Sequence, residues 1–361
     1  MNIGLLGFGT IGHGVVQIIN NLKKTYDINL VHVFDLPDKK EVLKDLLVTN
    51  VLDIIDDASI DLVIEALGGH DFAYGAIKRA LQNKKHVITA NKEVVSMHIA
   101  ELSNIARCNN VLFFYEASVG GGIPIIRSLE ENILMNPINH IYGILNGTTN
   151  FILSKMQNEG MDFQDALKLA QKLGFAERDP RADLEGLDMV RKISILSSLS
   201  YMGEVNNDDI YHFGITNITK EFIDEANKRG YLVKFISESW KRDNNIIIRV
   251  EPVLIKRDHP LASVNNEFNA VYFFGETNDT LGFYGKGAGS LPTASAIGLD
   301  ILSVLRQKDY TCFRNINKLM VNQSKFTFRA FYKEDGIYKF GTPKENVFYA
   351  RMLEEGNDER I

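Results

Sequence analysis

The chain has 361 residues, of which 45% are apolar and 24% charged, and its formal net charge is −6. This balance fits a globular protein of two or three domains and excludes a disordered or fibrous chain. The acid excess argues against a general nucleic-acid or anionic-membrane surface, and no run approaches the roughly 18 apolar residues of a membrane span.

Small molecules or proteins are therefore the expected partners. The first apolar stretch is broken by glycines and has no basic residue before it, so it does not read as a secretion leader. Two cysteines, Cys108 and Cys312, lack C-x-x-C spacing and fit a reducing, cytoplasmic setting.

In chain order, residues 3–6, 30–34, 61–66, 86–89 and 111–115 read as strands separated by helical patterns. Such alternation predicts right-handed β-α-β units and a mostly parallel, doubly covered sheet, that is, an α/β domain. The character changes at SVGGGIP (118–124), after which 125–134 resumes a helical pattern, and a boundary is placed near 130. Beyond it come a strand (138–145), helices (148–158, 162–173, 184–201) and strands at 245–254 and 270–275. This mixed order predicts a second, α+β domain over 131–305. In the remaining 306–361, KFTFRAFY (325–332) alternates like a half-buried strand before the acidic EEGNDERI end, and part of this extension is expected to pack back on the first domain.

GLLGFGTIGHG (4–14) sets Gly7, Gly9 and Gly12 in a G-x-G-x-x-G pattern between the first strand and the first helix. Gly7 permits the tight turn, Gly9 lets the backbone approach a pyrophosphate, and Gly12 lets the helix pack on the strand. Thr10 and Ile11 open that helix, whose N-terminus faces the phosphates. His13, in the same loop, reads as a helix-start residue. Asp35, at the end of the second strand, stands where an acid accepts from a ribose hydroxyl, or else caps a turn before Pro37. Its charge disfavours a 2′-phosphate, although Lys39 and Lys40 could fold back over one, so NAD is favoured slightly over NADP. Lys92, in ITANKE (88–93), follows a strand end and is either a surface cation or a substrate or cofactor residue.

FAERDPRADLEGLDMVRK (175–192) crowds five carboxylates and four cationic side chains into eighteen residues. Asp188 and Lys192 lie one helical turn apart with the acid N-terminal. On the surface such a pair contributes about 0.3–0.5 kcal/mol, whereas in a closed cleft it would orient an ammonium for proton transfer. Spacing alone favours a solvated face over a site. GKGAG (285–289) lacks Walker spacing and reads as packing near the cofactor, which makes Gly287 a cofactor candidate.

Several blocks together resemble the homoserine dehydrogenase family: GLLGFGTIGHGV (4–15), TANKE (89–93), YEASVGGGIPII (115–126), GILNGTTNFIL (143–153), AQKLGFAERDPRADLEGLDMVRK (170–192) and YGKGAGSLPTASAI (284–297). The resemblance covers roughly residues 1 to 305. It implies a Rossmann-type domain followed by a catalytic and dimerisation domain, and an enzyme interconverting L-homoserine and L-aspartate 4-semialdehyde with NAD or NADP, on the route to threonine and methionine. It further implies that Lys92 and Lys192 line the reacting centre, that Glu177 and Asp183 hold the substrate amino group, and that Asp188 positions Lys192. Thr148 and Thr149 would lie near the cleft. A monovalent cation, Na⁺, would sit at Glu116, Val119, Gly121 and Ile123, mostly on backbone carbonyls, and a homodimer or dimer of dimers is expected.

The chain departs from the family in three places. Phe34 stands where many relatives carry an arginine suited to a 2′-phosphate, which strengthens the expectation of NAD. Ala182 replaces a residue that is often polar. No D-x-P-G-V stretch opens an ACT domain, so threonine inhibition through such a domain is not expected. Competing functions are a dinucleotide sensor without catalysis and a dehydrogenase of a related amino-acid semialdehyde.

Overall fold

Apolar runs without polar alternation belong to strands covered on both faces, and the first sheet is built of them. A computed structural model describes residues 1–243, 245–308, 317–323, 328–344 and 347–353. Cys312, residues 325–327 of the expected strand and the acidic 354–361 end lie outside them. The chain divides into two units, one of residues 1–134, 202–204 and 288–318, the other of 135–201, 205–287 and 319–361.

In the first unit, β1 (Asn2–Leu6), β2 (Asn29–Phe34), β3 (Leu47–Val48), β4 (Leu62–Glu65), β5 (His86–Thr89) and β6 (Phe113–Phe114) form a parallel sheet in the order β3-β2-β1-β4-β5-β6. The order reverses between β1 and β4, which opens a crevice at the carboxyl ends of these strands, where dinucleotides bind in this architecture. The five expected strands are all present. The two-residue β3 was not expected, because so short a segment carries no period.

Helix Thr10–Leu22 buries Val15 and Ile19 in a core with Ile3, Leu5, Val33 and Ile64. Helix Ser290–Leu305 adds Ala294, Ile297 and Ile301 to that core. The two helices meet at glycines: a Cβ at Gly14 would stand 2.7 Å from the Ser290 carbonyl oxygen, and one at Gly298 would stand 2.8 Å from Ile18. The expected 131–305 domain is thereby corrected, since its last helix buries its apolar face in the first unit.

The second unit holds β7 (Ile138–Ile144), β8 (Tyr211–His212), β9 (Tyr231–Arg242), β10 (Asn245–Lys256), β11 (Phe268–Gly275), β12 (Asp279–Lys286), β13 (Ala330–Glu334), β14 (Ile337–Gly341) and β15 (Tyr349–Met352). Their order is β12-β11-β7-β9-β10-β15-β13-β14, with β8 also on β10, a mixed sheet as the α+β expectation required. Ser197 and Tyr201 hydrogen-bond Ser239 at 2.9 and 3.0 Å, which seats helix Leu187–Ser200 on β9. The expected helix over 184–201 is broken. Arg181–Leu184 forms one short turn, then Gly186 takes a φ of +90°, with Phe235 and Val250 only 3.0 Å from where a Cβ would stand.

The C-terminal strands join this second sheet. Buried Arg351 of β15 pairs with Glu251 at 2.7 Å and with Glu238, while Arg249 also meets Glu251 at 2.7 Å and His140 meets Glu238 at 2.8 Å. Glu251 is held below the usual glutamate range by Arg351 and Arg249, whose pull outweighs the opposing effect of its burial. Among the described residues no helix is long and apolar enough to cross a membrane. Arg351→Ala leaves two buried carboxylates short of countercharge, and a loss of about 3 kcal/mol is expected in urea unfolding; an unchanged midpoint would show that the network contributes nothing net.

Candidate functional site

The glycine loop follows β1 because its residues alone allow the chain to turn there. Gly7 has φ +99°, and a Cβ on it would meet the Ala66 carbonyl oxygen at 2.6 Å. At Gly12 a Cβ would lie 2.2 Å from the Gly7 carbonyl oxygen, whereas nothing stands within 4 Å of one at Gly9. This is the division of labour expected of a pyrophosphate cradle: two closed positions and one open approach. Thr10 is the first residue of the helix, its carbonyl accepting from the Ser290 hydroxyl at 2.6 Å, and Ile11 follows, half-buried. His13 stacks on Phe8 at 3.8 Å and reaches the Gly9 carbonyl at 2.8 Å, a helix-start role.

Asp35 directly follows β2 with both oxygens oriented by main chain: Phe8 N–H donates to Oδ2 at 2.5 Å and Leu36 N–H to Oδ1 at 2.7 Å. The carboxylate thus ties the glycine loop to β2. Lys39 meets Asp38 at 3.3 Å.

Lys92 is the half-buried first residue of helix Lys92–Cys108, just past β5. Asn91 caps that helix, its side chain accepting from Glu93 and Val94 N–H at 3.2 Å. The positive end of the helix dipole favours anions here, so Lys92 and the helix start both present positive charge.

Glu116 is buried, and its two oxygens accept from Ile126 N–H at 2.9 Å and Arg127 N–H at 2.7 Å, at the start of helix Ile125–Asn132. Burial pushes its carboxyl up to about 7. In the following turn, Gly121 has φ +56°, Val119 is buried, and the Ile123 carbonyl accepts from Ile125 N–H at 2.8 Å. A buried carboxyl group beside a turn of backbone carbonyls offers hard oxygen donors, the type that suits a cation such as Na⁺.

In the second unit the charge run divides. Asp179 and Arg181 pair in solvent at 2.5 Å. Asp188 and Lys192 are buried and pair at 2.8 Å, and Lys192 also donates to the Leu145 carbonyl at 2.6 Å. The Asn146 amide donates to Asp183 at 2.7 Å and to Asp188 at 2.8 Å, which brings both acids and the lysine to the carboxyl end of β7. Asn146 also caps helix Gly147–Glu159, accepting from Thr149 N–H at 2.8 Å and from its hydroxyl at 2.9 Å. The Thr148 hydroxyl donates to the Phe175 carbonyl at 2.6 Å and so pins the loop leading to Asp183. Glu177 is exposed on that loop, its carbonyl accepting from Gln171 at 3.1 Å. Gly287 follows β12, where a Cβ would stand 1.9 Å from the Asn269 amide.

A dinucleotide cradle in one unit and a buried acid-lysine cluster in the other are what an amino-acid-handling dehydrogenase needs. Family models described as homoserine dehydrogenase and as its NAD-binding domain match residues 124–302 and 7–116. The chain belongs to the homoserine dehydrogenase family. It is 43% identical to the homoserine dehydrogenase of Bacillus subtilis over 316 residues, covering 85% of this chain and 73% of that one. A homoserine dehydrogenase from Synechocystis is 40% identical over 84% of this chain and 73% of its own length. The crystal structure of a homoserine dehydrogenase from Thiobacillus denitrificans superposes with a TM-score of 0.87 at 35% identity, over 92% of this chain and 81% of that one. A hyperthermophilic archaeal homoserine dehydrogenase in complex with NADPH matches with a TM-score of 0.73 at 27% identity, over 86% and 99%. As a homoserine dehydrogenase family member the chain is an NAD(P)-dependent oxidoreductase that uses a nicotinamide dinucleotide.

Sequence reasoning passed over Asn146, the residue that joins the two acids. Its signal was an asparagine directly before the helix start, a preferred cap, but an N-cap says nothing of what its amide meets. Gly12→Ala is expected to weaken dinucleotide binding roughly five- to 150-fold by calorimetry, because overpacking of about 1–3 kcal/mol must displace the Gly7 carbonyl; unchanged affinity would contradict the cradle.

Proposed function

We propose that the protein catalyses reversible hydride transfer between L-homoserine and L-aspartate 4-semialdehyde, with Lys192 and Lys92 handling the proton on the substrate oxygen. The observation that carries this reading is the buried Asp188–Lys192 pair at 2.8 Å, locked by Asn146 and the Leu145 carbonyl. The bound dinucleotide supplies or takes up the hydride. The chain's own work is to bind the amino acid, orient its oxygen and move one proton.

An ammonium has three N–H donors. Two of those on Lys192 are directed at Asp188 and Leu145, and the third is assigned to the substrate oxygen. In reduction the lysine gives its proton as the carbonyl becomes a hydroxyl, and in oxidation it takes that proton back. Asp188 holds the ammonium in place and offsets its charge. Lys92, at its helix N-terminus, adds positive charge for the developing alkoxide. Asp183 and Glu177 recognise the substrate ammonium through charge-assisted bonds. Thr148 holds their loop through Phe175, and its oxygen keeps lone pairs to accept from the same ammonium.

The preferred coenzyme is NAD. Asp35 presents a fixed negative charge at the end of β2, Phe34 before it offers no countercharge to a 2′-phosphate, and Lys39 is engaged by Asp38. Gly7, Gly9, Thr10, Ile11, Gly12 and Gly287 line the dinucleotide. A Na⁺ ion bound by Glu116 and the carbonyls of Val119, Gly121 and Ile123 would hold that turn without entering the chemistry. A cytoplasmic homodimer or dimer of dimers serving threonine and methionine synthesis completes the reading; the two cysteines support the compartment and the family supports the pathway.

Purified protein with homoserine and either coenzyme, followed at the nicotinamide absorbance, tests the reaction, and no turnover with both would refute it. Lys192→Ala should lower kcat by roughly 10² or more at little cost in cofactor affinity; a rate near wild type removes the lysine from proton transfer. Phe34→Arg should raise the NADPH/NADH ratio of kcat/KM roughly five- to tenfold, the scale of one ~1 kcal/mol charge pair, and a constant ratio would count against the coenzyme assignment.

A further inference from the structure

Glu65 is a fully buried carboxylate at the carboxyl end of β4, on the ligand-binding edge of the parallel sheet, and nothing above gives it a task. A buried acid on such an edge needs donors, and here they come from two loops. One oxygen accepts from Leu67 N–H at 2.7 Å. The other accepts from the Thr89 hydroxyl, and the Thr89 oxygen in turn accepts from Asn91 N–H at 2.9 Å. Asn91 then caps the helix that begins at Lys92 and sends its amide to the Gly69 carbonyl at 2.8 Å.

One acid therefore governs where two adjacent loops stand. The 66–69 segment is held against the glycine turn, where a Gly7 Cβ would meet Ala66. The 89–92 segment fixes the first residue of the helix. We propose that Glu65 is a positioning residue for Lys92: through Thr89 and Asn91 it sets where that helix starts and hence where the ammonium is held during hydride transfer. The inference rests on the catalytic role proposed above for Lys92. Separately, burial raises the carboxyl to about 7, and the Thr89, Leu67 and Asn91 donors offset only part of that rise.

The test is kinetic, on the whole enzyme with homoserine and its coenzyme. Glu65→Gln places an NH₂ where Leu67 or Thr89 needs an acceptor, and Thr89→Val removes the hydroxyl link while keeping the acid. Each should lower kcat roughly ten- to hundredfold, the scale of a misplaced catalytic group, while KM changes by less than about threefold. Thr89→Ser should restore nearly the wild-type rate. In a Lys92→Ala background, Glu65→Gln should cost nothing further, because the group it positions is gone.

A structural role alone would lower thermal stability equally in both backgrounds and leave the kcat of folded enzyme unchanged. If Glu65→Gln does not fold, the Thr89 pair decides the matter. Thr89→Val at the wild-type rate, with Lys92→Ala impaired, overturns the positioning role and leaves Lys92 standing. Lys92→Ala at the wild-type rate overturns both.

Discussion

The second unit is organised around an ion pair taken out of water. Removing two charges from solvent costs several kcal/mol per ion, and mutual attraction recovers that only when the remaining lone pairs and protons are satisfied. Asp188 and Lys192 meet that demand through the Asn146 amide and the Leu145 carbonyl, and each of these partners constrains the backbone. Asn146 must cap a helix, and Leu145 must follow its strand with the carbonyl turned toward the lysine. The left-handed Gly186 starts helix Leu187–Ser200 so that Asp188 falls in its first turn, where the dipole favours an acid. The pair is better understood as fixing one geometry than as a source of stability.

The first unit uses carboxylates for a related purpose. Asp35 accepts from Phe8 and Leu36, Glu65 from Leu67, and Glu116 from Ile126 and Arg127, in every case backbone N–H groups of a loop or a helix start. Main-chain donors in turns have no ladder partner, and an acid whose position is set by a strand end can satisfy them. For Glu65 and Glu116 the cost of burial outweighs those donors and raises the pKa of both.

Much of the first sheet was legible because strands covered on both faces read as continuous apolar runs, and bounds such as His86–Thr89 fall where the pattern ends. Strands of the second sheet were harder to read. β9 carries buried Lys234 and Glu238, and β12 sets a glycine and a tyrosine, Gly282 and Tyr284, at exposed positions of a sheet edge, so neither shows a clean apolar-polar period. Helix Ser290–Leu305 was recognisable as a helix, but the surface it covers depends on glycines 14 and 298, far apart in sequence. Spacing alone placed Asp188 and Lys192 on one helical face. Whether that face met solvent or protein depended on β7, and Asn146 and Glu65 act through contacts across 42 and 24 residues that no local pattern encodes.

The two sides of β9 show how the C-terminal strands relate to the site. Successive side chains of a strand point to opposite faces, so Ser239 meets Ser197 and Tyr201 of the helix carrying Lys192, while Glu238 meets His140 and Arg351. A single strand thus fixes the helix carrying Lys192 on one face and receives the tail's buried arginine on the other. The arginine network contributes no group to the acid-lysine cluster itself. Its substitution should therefore act on the chemistry only through the steadiness of the platform, lowering the folded fraction before it changes the rate of each folded molecule.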